Sequence, residues 1–376
     1  MQFRDLVKQY NVLKPEIDKA MTDTAASGGY IMGKAVKELE AELAVYIGVK
    51  HCITCANGTD ALTLALKAWG IGQNDAVFVP DFTFFASAEV VSLAGATPVF
   101  VDVDYNTYNI DTTSLETMIE KTISERKLTP RAIVTVDLFG LPADYFAIKK
   151  LADKYNLLIL EDGAQGFGGK INDRMACSLG DISTTSFFPA KPLGCYGDGG
   201  AIFTNNDEWA AIINSLKVHG KGSFKYDNVM IGMNSRLDTL QAAILKPKFN
   251  AFKEYEVTDI NKAAALYTEK LNGIVKTPII PEDFYSSWAQ YTIQLKDREQ
   301  RDGLQAFLKE NGIPSMVYYP NPMHKQTAYK DLGYRDGDFP VTEKLCSTVL
   351  ALPIHPYISN EDIEKVVTYV IAFINK

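Results

Sequence analysis

The stretch that decides the fold is "ADYFAIKKLADKYNLLILEDGAQGFGG", residues 143–169. Residues 143–155 have the length and spacing of a helix. The apolar run Leu157–Leu160 then leads straight into Glu161 and Asp162. A short apolar run ending in polar residues, after a helix-length segment, reads as a strand buried on both faces. Working outward, the same kind of run recurs at "CITC" (52–55), "DAVFVP" (75–80), "TPVFVDV" (97–103), "AIVTVDLF" (132–139), "STTSFF" (183–188) and "GAIFTN" (200–205). Helix-length segments such as "DALTLALKAWG" (60–70) lie between several of them. The alternation predicts an α/β fold whose sheet is mostly parallel and covered on both faces.

From Ser235 the pattern changes to a long helical stretch, with a kink or break expected near Pro247. "WAQYTIQL" (288–295), a helix near 298–310, "SMVYYP" (315–320) and a closing helix capped at "SNED" (359–362) follow. This predicts a large α/β domain over residues 1–245 and a smaller α+β domain over 246–376, the long helix joining them.

Composition narrows the function. The chain has 376 residues, is 47% hydrophobic and 22% charged, and carries a formal charge of −8. That is globular composition without the basic field that nucleic-acid binding needs. The N-terminus has charges every few residues and no apolar core, and no run reaches membrane-spanning length, so a cytoplasmic protein with no membrane partner is expected. Cys52 and Cys55 spell C-x-x-C, but no second pair accompanies them. They read as strand filling, with no metal site expected.

Ligands of parallel α/β sheets bind beyond the carboxyl ends of the strands. Three features fall there. In "ANGTDALTLAL" (56–66) a strand leads into a helix start at Gly58 and Thr59, whose free amides and hydroxyl suit a phosphate. An ordinary helix cap is the simpler reading of that stretch alone. Asp162 puts a carboxylate at the lip of a buried strand, where charge needs a partner. In "SFFPAKPLGCYGDGG" (186–200) Lys191 stands between Pro189 and Pro192, which stiffen its turn, and Gly197, Gly199 and Gly200 allow unusual angles or close approach. A lone lysine in a Pro/Gly turn is usually only solvated. A phosphate site, a carboxylate, a positioned lysine and the aromatics of "PDFTFFASAE" (80–89) on one rim fit pyridoxal phosphate. Its phosphate needs anchoring, its aldehyde an amine, its ring nitrogen an acid and its face a cover.

Seven stretches in order, "GGYIMGKAVKELEAELA", "ANGTDALTLAL", "VPDFTFFASAE", "TPVFVDVDYNTYNID", "EDGAQGFGG", "SFFPAKPLGCYGDGGAIFTN" and "MNSRLDTLQAAIL", resemble the DegT/DnrJ/EryC1/StrS family of sugar aminotransferases almost end to end. The resemblance implies a fold type I pyridoxal 5′-phosphate enzyme. It makes Lys191 the internal aldimine lysine and proton carrier, Asp162 the partner of the ring nitrogen and Gln165 a contact of the ring hydroxyl. Ser186, Gly58 and Thr59 would hold the phosphate and Phe84 would stack on the ring. Asn234 would reach the phosphate of a neighbouring subunit, which implies a homodimer with shared sites. Arg236 is expected to grip a carboxylate, of donor or sugar; the alternative is a surface ion pair with Asp238. His219 and the lysines of "KVHGKGSFKY" (217–226) suit either a diphosphate-binding loop or a solvated one. Tyr318 and Tyr319, in "MVYYPNPMHKQ" (316–326), stand where the family often has His-Tyr in its sugar pocket, and His324 is the remaining histidine nearby.

The close forms of the lysine and "NSR" stretches resemble most the subgroup that aminates C3 of UDP-2-acetamido-2-deoxy-3-oxo-glucuronate. L-glutamate would be the donor, leaving as 2-oxoglutarate in a ping-pong cycle, with a role in polysaccharide or lipopolysaccharide O-antigen biosynthesis. Two alternatives stay open: a 4-aminotransferase on a UDP- or dTDP-linked 4-keto-6-deoxy sugar, and a non-catalytic regulator on the same fold.

Overall fold

The computed structural model describes residues 1–224 and 226–375. Seven strands form the central sheet: β1 (His51–Cys55), β2 (Asp75–Pro80), β3 (Thr97–Val101), β4 (Thr129–Val136), β5 (Leu158–Asp162), β6 (Ile182–Ser186) and β7 (Gly200–Thr204). Their order is β1-β7-β6-β5-β4-β2-β3. β7 runs antiparallel to both its neighbours, and the pairs from β6 across to β3 are parallel. Every strand except β7 therefore points its carboxyl end to one edge.

Alternation along each strand sorts its side chains between two helical layers. Ile53, Cys55, Val77, Val79, Val134, Leu160, Ile182 and Ile202 pack against α3 (Gly58–Ala68), α4 (Ala86–Leu93) and α7 (Asp207–Leu216). On the opposite face, Cys52, Ala201 and Phe203 pack against α2 (Lys34–Ile47) and α8 (Thr239–Ala251). Ala76, Phe78, Ile133 and Ile159 meet α5 (Thr112–Glu125) and α6 (Tyr145–Tyr155) on that same side. Cys52 and Cys55 thus face opposite layers, both buried and unbridged. Burial also pushes the Cys55 thiol up to about 12. The C-x-x-C spacing is strand filling.

The helix containing Pro247 does not break there. Pro247 lies within α8, and the irregularity falls later, in a π-helical turn at Phe252–Glu256 before α9 (Val257–Leu271). Apolar side chains up to Phe252 pack with the sheet's core, whereas those from Ile260 onward join a second core. That second core is built on the antiparallel pair β8 (Tyr291–Gln294) and β9 (Val349–Leu352), with α9, α10 (Arg298–Glu310) and α12 (Asn360–Ile374). Ser359 caps α12 by accepting from the Asp362 amide, as its sequence predicts. "SMVYYP" forms no strand; it keeps a single bridge, Met316 to Ala351. α11 (Pro340–Thr348) leads into β9, and α1 (Leu6–Ser27) packs on α8 through Leu13 and Ile17. Among the described residues no helix is long and apolar enough to cross a membrane.

Candidate active site

The parity of β5 places its last two residues. Leu160 faces the α3/α4 layer, so Asp162 does too, and Glu161 faces the other. Asp162 is buried; its Oδ2 accepts from the Ser87 hydroxyl of α4 at 2.8 Å and its Oδ1 from the Ala164 amide at 3.2 Å. Burial raises its pKa, opposed by Ser87, by the charge of Lys191 and by Ala164. The adjacent Glu161 accepts from the amides of Cys177, Leu179 (2.7 Å) and Gly180 (3.0 Å) and from the Ser183 hydroxyl (2.7 Å).

Lys191 follows β6 in a turn closed by its own amide donating to the Phe188 carbonyl at 2.8 Å. Its side-chain amine has no hydrogen bond or ion pair among the described residues. Burial lowers its pKa, with the Asp162 charge pulling the other way and that of Arg4 adding to the lowering. A lowered amine pKa leaves more of the free base at neutral pH, the form that attacks a carbonyl.

The third feature meets these two because Gly200 of β7 pairs with Cys55 on one side and Ser186 on the other. Asn57 caps α3, its side chain accepting from the Asp60 amide at 2.8 Å, so the Gly58 and Thr59 amides of the first turn lack intrahelical partners. Close approach explains two glycines. A Cβ on Gly58 would lie 2.8 Å from the Ser186 Cβ, and one on Gly200 would lie 2.5 Å from the Asn57 carbonyl oxygen. Gly197, Gly199 and Gly200 have no left-handed backbone angles, so packing, and not unusual geometry, selects them.

Aromatic side chains cover the rim. Phe84 is 55% exposed, and its ring centroid lies 6.3 Å from that of Tyr319. The side-chain amide of Gln165 ties the layer together. Its Oε1 accepts from the Phe139 amide at 2.7 Å and its Nε2 donates to the Tyr319 hydroxyl at 3.0 Å. Ser87 was not among the residues expected at this rim; its contact with Asp162 emerges only once α4 is packed beside β5.

The remaining expected residues divide. Ser235 is buried and its hydroxyl accepts from the Ala56 amide at 3.1 Å, which fixes the "NSR" stretch beside the α3 loop. Its neighbours Asn234 and Arg236 turn outward, exposed and half-buried. Arg236 makes no ion pair with Asp238 or any other described residue. His219 is exposed with a positive φ. Lys217 does not belong to a solvated or ligand-facing loop: it is buried, donating to the Thr54 carbonyl at 2.9 Å and paired with Glu40. Lys225 lies outside the described residues. His324 is a structural residue, buried with its Nδ1 2.6 Å from Asp81 at the end of β2. Tyr318 is half-buried and packs on Phe3.

The residues fit pyridoxal phosphate. An unengaged amine, a buried carboxylate with accepting capacity to spare, free helix amides in a glycine cradle and a half-exposed aromatic ring converge on one face. Among the described residues no cluster suits a metal ion.

Comparison with known proteins agrees. The model of the DegT/DnrJ/EryC1/StrS aminotransferase family matches residues 11–371. A Pseudomonas aeruginosa relative, UDP-2-acetamido-2-deoxy-3-oxo-D-glucuronate aminotransferase, is 44% identical over 97% of this chain and 98% of its own. An Aneurinibacillus thermoaerophilus relative, dTDP-3-amino-3,6-dideoxy-alpha-D-galactopyranose transaminase, is 42% identical over 97% of each. A DegT DnrJ EryC1 StrS aminotransferase from Brucella abortus superposes over 100% of both chains with a TM-score of 0.97 and 49% identity. A Bacillus subtilis structure, "ntda … with bound cofactor pmp", gives a TM-score of 0.90 at 28% identity over 100% of this chain and 85% of that one.

Proposed function

The chain belongs to the DegT/DnrJ/EryC1/StrS aminotransferase family, and from that membership we propose that it transfers an amino group from L-glutamate to C3 of UDP-2-acetamido-2-deoxy-3-oxo-glucuronate. It is a pyridoxal-phosphate-dependent nucleotide-sugar transaminase. When bound, pyridoxal phosphate supplies a carbonyl carbon for amines and a protonated ring that draws electrons from the substrate. The amine of Lys191 would hold the cofactor through that carbonyl and would be the base that moves a proton at the reacting carbons of the substrates. Asp162, oriented by Ser87, holds the proton on the ring nitrogen. Gly58, Thr59 and Ser186 would hold the phosphate, Phe84 would cover the ring, and Gln165 would contact the ring hydroxyl. The order would be ping-pong, 2-oxoglutarate leaving before the keto sugar takes the amine.

The uronate reading rests on Arg236. A half-buried guanidinium with no ion pair, beside an anchored Ser235, is free to take a carboxylate in a bidentate grip. The Pseudomonas relative is named for a glucuronate, which carries such a group. We assign Tyr318, Tyr319 and His219 to the sugar-nucleotide side. A second copy completes the site in this reading: Asn234 is exposed here, as are the apolar Ile231, Phe188 and Ile31. The expected boundary at residue 245 falls inside α8, whose packing on the sheet runs on to Phe252; the unit ahead of it would bind the cofactor, and the smaller unit beyond it would complete each subunit of a cytoplasmic homodimer serving polysaccharide synthesis.

A panel of keto sugars tests the substrate. Turnover should be best on the UDP-3-oxo-uronate, with Arg236→Ala raising its KM more than that of glutamate. Better turnover on a 4-keto-6-deoxy sugar, which has no carboxylate at C6, would sink the uronate assignment. An Arg236→Ala defect confined to the glutamate half-reaction would move the arginine to the donor.

A further inference from the structure

The segment ahead of α1 reaches across the molecule to the turn that carries Lys191. Arg4 Nη2 donates to the Lys191 carbonyl at 2.9 Å and to the Pro192 carbonyl at 3.3 Å, across 187 and 188 residues of sequence. Its Nη1 is buried without a partner among the described residues. Neither Pro189 nor Pro192 in this turn can donate, since proline has no amide hydrogen. Backbone bonds hold the turn only from its start, Lys191 to Phe188, and from beyond it, Cys195 to Phe187. Between those two bonds, the guanidinium is the polar contact that fixes the lysine's own backbone.

A buried carboxylate, Glu256, acts on Arg4 through its charge, without a hydrogen bond or ion pair between them among the described residues. Gln9 Nε2 and the Tyr357 hydroxyl both donate to Glu256 Oε1, at 2.8 and 2.6 Å. Glu256 is buried at the end of the π-helical turn, where an extra residue per turn re-aims a side chain. Its negative charge attracts Arg4 and the buried Lys248 alike; burial nevertheless brings Lys248 down to about 8 and Arg4 to about 10. Phe3 packs its ring 6.2 Å from Tyr318, and Lys8 donates to the Tyr357 carbonyl at 2.7 Å. The strap of residues 3–9 therefore touches the lysine turn, the tyrosine pair and the segment ahead of α12 together.

We infer that Arg4 is a positioning residue for Lys191: its guanidinium, gripping the carbonyls of Lys191 and Pro192, fixes the turn from which the lysine amine works. The inference rests on the reading of Lys191 as the cofactor-bearing lysine. Geometry of this kind governs rate more than binding, because a misplaced reacting group is penalised mainly during chemistry. Removing Arg4 also takes a positive charge from beside the lysine, so the amine's pKa should rise. Asp162 and Arg4 are the charged groups that act on that amine.

Amide exchange in the cofactor-free protein reads the turn directly. In Arg4→Ala the peptide spanning residues 187–196 should exchange about tenfold faster, with β5 and β6 unchanged. With cofactor restored, kcat should fall about tenfold with each KM within about twofold, and Arg4→Lys should recover part of the loss. If Arg4→Ala does not fold, Arg4→Met, which keeps the aliphatic stem and removes the donors, reads the same quantities. Unchanged exchange at 187–196, or faster exchange with unchanged kcat, overturns the role of Arg4. A Lys191→Ala chain that still turned over would overturn the reading beneath it, and leaves the exchange result legible on its own.

Discussion

Glu161 and Asp162 are adjacent carboxylates at the end of one strand, both buried, and the structure uses them for opposite purposes. Glu161 faces the α5/α6 layer and is saturated by Cys177, Leu179, Gly180 and Ser183. Asp162 faces the α3/α4 layer and has one hydroxyl, one long amide bond and the charge of Lys191. Burial pushes both carboxyls up, but only Glu161 is met by a full set of donors. A saturated buried carboxylate organises a loop. An undersupplied one, beside an unengaged amine, is equipped to meet a ligand.

The comparison breaks most readily at Glu161. Glu161→Ala leaves three amides and a hydroxyl without their acceptor, and should cost about 3–5 kcal/mol in denaturant unfolding. A loss under about 1 kcal/mol would mean the loop at 177–180 does not depend on it. Asp162→Asn should do the reverse. Turnover should fall about a hundredfold as the ring nitrogen loses its acid partner, while the cofactor-free fold is kept. The pH sign follows from the raised folded pKa of Asp162. The unfolded chain ionises it more readily, so ionisation works against folding above the folded pKa and that penalty fades as pH falls through it. Asp162→Asn should therefore match or exceed the wild type in cofactor-free stability near neutral pH, with the difference shrinking on the acid side. Gly58→Ala is the smallest of the three. Its Cβ would meet Ser186 at 2.8 Å, so cofactor affinity should weaken about tenfold by titration, with little change in kcat at saturation.

Much of this rim was legible in the sequence. Apolar runs ending in polar residues located the strands, and strand parity alone separates Asp162 from Glu161. What stayed hidden depends on contacts distant in the chain. Nothing in "QFRDL" marks Arg4 as the partner of a turn 187 residues away. Lys217 looked like part of a basic loop, because charge in a loop reads as solvated until a buried carbonyl and Glu40 are seen to receive it. Pro247 suggested a break that occurs instead at the π-helical turn, where the sequence has no proline or glycine.

The central claim, that this face of the sheet carries the cofactor on Lys191, is tested most directly by adding pyridoxal phosphate, reducing with borohydride and mapping the modified peptide by mass spectrometry. The account predicts a single reduced adduct on Lys191, absent from Lys191→Ala and lost from wild type treated first with glutamate. An adduct on another lysine, or a wild-type protein that keeps none, would contradict it.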